Sequence, residues 1–247
     1  MASKTEYIEE ALKNFEKEIE QIFGKNLVSI ILYGSAATNE FTPGVSDINF
    51  MVVLDRAGMK KIDKVQKFLK KWEKRNITLP LFFTEDYING SLDSFPIEFL
   101  NMKISYRLIR GKDILKDIKI RVEDLRLQCE REMKANLLKL RQGYIKTMGR
   151  QKRLKSLISQ SLVSFISIFR ALLYIKEVEI PETKRDVLLE TCREFKLNET
   201  LFSLLISVRE HSTTLGKGEL TKKVSAYISE IERLSEMVDR MRTGKSK

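Results

Sequence analysis

Apolar residues at Ile8, Leu12, Phe15, Ile19, Ile22 and Phe23 recur at the spacing of one helix face, and Gly24 closes the run. An amphipathic helix over 5–23 is predicted. Leu27–Tyr33 is short, β-branched and ended by Gly34, which predicts a strand. Ala36–Thr38 can open a short helix before a turn at Thr42-Pro43-Gly44. Asp47–Leu54 reads as a second strand whose later positions are apolar on both faces, as a central, doubly covered strand requires. Lys60–Trp72 carries Ile62, Val65, Phe68, Leu69 and Trp72 and is predicted as one amphipathic helix. Ile77–Phe83 reads as a third strand, and Thr84-Glu85-Asp86 as a turn or helix start. Ile97–Ile104 and Arg107–Ile109 read as two more strands, closed by Gly111.

After Lys116 the pattern changes. Apolar positions at 122, 125, 129, 133, 137, 140, 144 and 148 make a helical stripe of about seven turns at ~3.6 residues each. Leu154–Lys176 is apolar almost all round and is predicted as the centre of a bundle. Ser164, Ser167 and Ala171 on it would admit a close neighbour. Further helices are expected at about 183–195, 199–215 and 219–241, with Pro181 and Gly216/Gly218 as breaks and a loose tail at Thr243–Lys247. The expected fold class is α+β, a mixed-sheet domain at 1–118, followed by an all-α helical bundle at 119–247.

The 247 residues are enough for one large domain or two small ones. Hydrophobic residues at 43% and charged residues at 32%, with 11 Gly and 4 Pro, exclude collagen-like and wholly disordered chains. Cys129 and Cys192 cannot build a disulfide framework, and one His with no Cys cluster cannot build a zinc site. The first twenty residues alternate Lys and Glu with no apolar core, so no secretory leader is expected and a cytoplasmic location is. Lys155, Gln160 and Arg170 interrupt the most apolar stretch, so no membrane span is expected.

Charge is unevenly placed. Of the formal +11, residues 119–247 hold 27 basic residues against 17 acidic, whereas 1–118 hold 18 against 17. Arg131–Lys155 contains nine basic residues and a single acid, Glu132. Such a stripe is either a solvated surface or the face for a polyanion, which would give weak nucleic-acid binding through the basic helices. The stripe at 122–148 would also suit a homo-oligomer.

Chemistry concentrates at Leu32-Tyr33-Gly34-Ser35, a loop, and then Asp47-Ile48-Asn49-Phe50. A glycine-serine turn ending a strand offers backbone N–H groups and a hydroxyl to an anion. Asp47 and Asn49 lie two apart on an extended segment, so they share a face. Oxygen ligands placed there could hold Mg²⁺ on a nucleoside triphosphate. His211 lies in a polar stretch with no partner pattern for catalysis, and Trp72 and Phe165–Phe169 fall on apolar helix faces and belong to the core.

This order (helix, strand, Gly-Ser, loop, Asp-x-Asn, apolar strand) resembles the nucleotidyltransferase superfamily with the DNA polymerase β-like fold, in its small-molecule branch that includes aminoglycoside nucleotidyltransferases. Phe95–Leu100 and Leu108–Asp113 are similar to further segments of that superfamily. The resemblance implies that Gly34 and Ser35 grip the triphosphate, that Asp47 and Asn49 ligate metal, and that Glu98 is the third acid, on a neighbouring strand. It implies transfer of a nucleoside monophosphate from Mg-NTP to a hydroxyl of a small-molecule acceptor, with Asp47 and Glu98 catalytic. Asn49 stands where the superfamily has its second carboxylate. A neutral amide removes a charge that a hard dication prefers. The alternative is therefore a degenerate relative that binds nucleotide or nucleic acid without turnover.

Overall fold

The computed structural model describes residues 4–38 and 40–241; the tail expectation at Thr243–Lys247 lies outside them. The chain divides into two compact units, Met1–Ile120 and Arg121–Lys247.

The first unit opens with α1 (Lys4–Phe23), followed by β1 (Leu27–Tyr33), a 3₁₀ turn at Gly34–Ala37, and β2 (Asn49–Leu54). Short helices α2 (Arg56–Met59) and α3 (Leu69–Glu73) flank a 3₁₀ run at Ile62–Phe68. Then come β3 (Leu81–Phe83), α4 (Glu85–Ser91), α5 (Pro96–Ile104), β4 (Tyr106–Gly111) and α6 (Ile114–Asp117). The sheet order is β3-β2-β1-β4. β1 runs antiparallel to both β2 and β4, and β2 runs parallel to β3, so the sheet is mixed.

Strand alternation sorts the core into two layers. Ile30, Leu32, Phe50 and Val52 face the apolar side of α1, where Phe15 stacks on Phe50 with ring centroids 3.8 Å apart. Ile31, Met51 and Val53 face the other way, onto Ile88, Phe99, Met102 and Leu115. Beneath α1, the buried Glu18 carboxylate accepts the Trp72 indole N–H at 2.7 Å, and it pairs with Arg75 and Lys71. A buried indole donor needs such a partner, and a buried carboxylate needs such cations.

Two expectations are corrected. Ile97–Ile104 is a helix, not a strand. Pro96 occupies the first helical position, where its missing N–H is no loss, and Asn101 Nδ2 donates to the Ile97 carbonyl at 2.8 Å. The predicted helix over 60–72 is broken, because Ile62, Val65 and Phe68 repeat at three residues, the period of a 3₁₀ helix. The third strand is also shorter than expected. Its start at Ile77 survives only as a bridge to Ile48, and Pro80, which has no N–H, precedes β3.

At β4's end Gly111 has φ +83°, and a Cβ there would lie 2.0 Å from the Val28 carbonyl oxygen. Only glycine fits this approach.

Among the described residues the regular elements of the second unit are all helices: α7 (Val122–Thr147), α8 (Gln151–Ile175), α9 (Lys184–Glu194), α10 (Glu199–Arg209) and α11 (Lys217–Arg240). α8 packs against α7, α9, α10 and α11, and is the centre of this bundle as its apolar composition predicts. It is long and apolar enough to cross a membrane, but 56% of its most apolar window is buried inside the protein. The close approach of α7 to α8 is set by Gly143, where a Cβ would stand 2.5 Å from Leu157; Ser164 is exposed. α10 ends at Arg209, six residues before the expected end, and His211 follows in a left-handed turn at φ +59°. Cys129 and Cys192 are free and buried, and burial pushes the Cys192 thiol up to about 12, so neither is a ready thiolate.

Glu18→Ala should destabilise the first unit by about 2–3 kcal/mol, since it strands the indole donor and two cations. Glu18→Gln, which keeps an acceptor, should cost less. The emission of Trp72, the chain's one tryptophan, followed in urea reads this directly.

Candidate functional site

β1 delivers Tyr33 to the end of the sheet opposite Asn49, the first residue of β2, and opposite Tyr106 of β4. Beyond Tyr33 the chain must turn, and Gly34 does so at φ +77°. Its N–H is spent on the Ser105 carbonyl at 2.9 Å, which clamps the turn to the start of β4. The turn closes through the Ser35 carbonyl, which accepts from Thr38 N–H at 3.1 Å and Thr38 Oγ1 at 3.2 Å. One 3₁₀ turn of four residues is too short for an appreciable dipole. What it can offer an anion is the Ser35 hydroxyl and its local peptide N–H groups.

The loop returns through a turn at Thr42–Gly44, where Val45 and Ser46 N–H donate to the Thr42 carbonyl. Asp47 lies just before β2, exposed, with no hydrogen-bond or ion-pair partner among the described residues. Ile48 is fully buried between Asp47 and Asn49, so the two polar side chains flank it on the other side. Ile48 is also bridged on both backbone groups: its N–H donates to Asn76, and its carbonyl accepts from Thr78 N–H at 3.1 Å. That bridge brings in a residue that motif reasoning does not reach. The Thr78 hydroxyl donates to Asn49 Oδ1 at 2.9 Å. The Asn49 Nδ2 lies toward Gly34, 3.5 Å from where a Cβ on that glycine would stand.

The structure thus brings Gly34, Asp47 and Asn49 to one end of the sheet, with Ser35 next in the turn. Glu98 is placed differently from the expectation. It lies exposed in the first turn of α5, whose Phe99 and Met102 pack beside Met51 and Val53. The strand that neighbours β2 on its free side is β3, and 77–83 carries no acid at all. Leu79 and Leu81 stand there instead, 65% and 36% exposed. Among the described residues no three His, Cys, Asp or Glu side chains come together to hold an ion.

The basic residues of β4 and its exit are engaged elsewhere. Arg107 pairs with Glu9 at 2.7 Å, Arg110 with Glu16 and Glu20, and Lys112 with Glu85. Burial raises the pKa of Tyr33, and burial with a hydrogen bond to Asp113 raises that of Tyr106.

Residues 12–101 match the family model of the nucleotidyltransferase domain. Among solved structures, the chain is similar to spectinomycin adenyltransferase AAD(9) from Enterococcus faecialis, a structure with ATP and spectinomycin. The TM-score is 0.53 at 11% sequence identity, over 91% of this chain and 99% of that one. That likeness extends the shared fold across both units. A search of curated proteins gives no match.

Gly34→Ala should cost about 1–2 kcal/mol of stability from left-handed backbone strain, because the added Cβ meets no clash. Urea midpoints for the two proteins, read from Trp72 emission, check this.

Proposed function

We propose, from the premise that residues 12–101 are a nucleotidyltransferase domain, that this chain passes a nucleoside monophosphate from a nucleoside triphosphate to a hydroxyl of a small-molecule acceptor. The observation that carries the reading is the Gly34–Ser35 turn set against Asn49, with Asp47, unpaired among the described residues, beside it. Ser35 binds phosphate oxygens. Asp47 is the one free carboxylate of the motif, and it can take the proton of the attacking hydroxyl. The acceptor oxygen bonds to the α-phosphorus, the bond from that phosphorus to the bridging oxygen breaks, and pyrophosphate leaves. ATP is the triphosphate favoured by likeness to an adenyltransferase.

Magnesium, when bound in this superfamily, neutralises phosphate charge. The donor set of this chain does not fit a two-ion centre. It offers one exposed carboxylate and one amide oxygen that already accepts a hydrogen bond, with leucines at 79 and 81 in the segment beside them. Glu98 stands on α5 and not on the strand where the resemblance puts the third acid, and the transfer is written without a step for it.

Pyrophosphate release from ATP with a panel of hydroxylated acceptors tests the transfer. Asp47→Ala should lower it by about a hundredfold, and Ser35→Trp should abolish the rise in melting temperature that ATP gives. Wild-type protein that releases no pyrophosphate with any triphosphate or acceptor would overturn the proposal.

A second reading is binding without turnover, and the bond between Thr78 and Asn49 favours it. Within it, the helical unit has its own partner. Arg131, Lys139, Lys146, Arg150, Lys152 and Lys155 have no ion-pair partner among the described residues, whereas Lys134 and Arg141 are paired with acids of α11. Nucleic acid held by these cations should bind weakly and without sequence preference. Its affinity should fall about a hundredfold or more from ~50 to ~200 mM salt. Filter binding across that range checks it, and salt-independent retention would return the stripe to a solvated surface.

A further inference from the structure

The orientation of Asn49 has a chemical consequence for how the triphosphate is held, one that rests on the reading that the Gly34–Ser35 turn takes that triphosphate. A side-chain amide has one acceptor end and one donor end. The acceptor end, Oδ1, is turned to Thr78, whose hydroxyl donates to it at 2.9 Å. Thr78 is itself fixed, because its N–H is bonded to the Ile48 carbonyl. The donor end, Nδ2, is the atom closest to the open side of Gly34. A cation cannot be ligated by an N–H, whereas a phosphate oxygen can accept from one.

The rest of the surroundings agree. A divalent ion between protein and nucleotide needs several hard oxygens, and one exposed carboxylate leaves it mostly hydrated. The segment beside β2, residues 77–83, supplies leucines at 79 and 81 and no acid. We propose that this chain binds its nucleoside triphosphate without a divalent ion, with Asn49 Nδ2 donating to a phosphate oxygen where a carboxylate-bound ion would otherwise sit.

Calorimetric titration of the full chain with ATP, once in EDTA and once in MgCl₂, tests this. The two dissociation constants should agree within about threefold. Asn49→Asp replaces the donor by a second negative charge, so its affinity should fall by about tenfold or more in EDTA and recover in MgCl₂. Circular dichroism checks that this variant folds, and the wild-type comparison decides the matter without it. Wild-type affinity that tightens more than about tenfold with MgCl₂ would overturn the proposal and leave the nucleotide site standing. No binding in either solution would overturn both. Binding in EDTA that persists in Ser35→Trp would locate ATP elsewhere on this basic chain, and would also overturn it.

Discussion

β1 is hydrogen-bonded along both edges and buried on both faces, and the first unit depends on that double constraint. A strand paired on one side can slip; a slip by one residue here would exchange Ile30 and Leu32 with Ile31 across the sheet and break two ladders together. Fixed register at one end means fixed geometry at the other. Tyr33 lies opposite both Asn49 and Tyr106, and the Gly34 N–H reaches Ser105. The position of the turn at the site is therefore set by core packing several residues away. Gly111 secures the opposite end, where backbone replaces side chain against Val28.

The proposed handling of the triphosphate turns on residue 49, where an amide stands in place of the carboxylate that the resemblance implies. Oxygen to nitrogen at residue 49 changes little in shape and reverses the character of one end of the side chain. In this structure the Oδ1 end accepts from the Thr78 hydroxyl and the Nδ2 end lies toward the turn. The domain match and the likeness to an adenyltransferase fold describe the scaffold, and they are compatible with several ways of managing phosphate charge on it. The local donors and acceptors are what distinguish those ways.

The parts legible in the sequence are those where one physical period dominates a long segment. α1, α7 and α8 keep helical spacing over twenty or more residues, and β1 is a short β-branched run ended by Gly34. The segment at 97–104 misleads because it is short and buried on more than one side, so apolar residues crowd both periods; Pro96 was the one local signal for a helix. Gly34, Ser35, Asp47 and Asn49 could be read because they are neighbours in a motif. Thr78 could not. Its place depends on the bridge between Ile48 and Ile77, a contact between distant segments that leaves no mark on nearby residues. Glu98 was misplaced with the strand that was expected to carry it.

The free edge of β3 shows how this protein tolerates apolar surface. Leu79 and Leu81 are exposed at the margin of a sheet, a combination that in a long flat strand would template the addition of a strand from another chain. β3 has three residues, and Pro80 between the leucines has no hydrogen to donate. A would-be partner strand finds too few bonding groups in sequence to hold it. The sheet ends there by backbone chemistry, which leaves the leucine side chains free to be oily without making the molecule sticky.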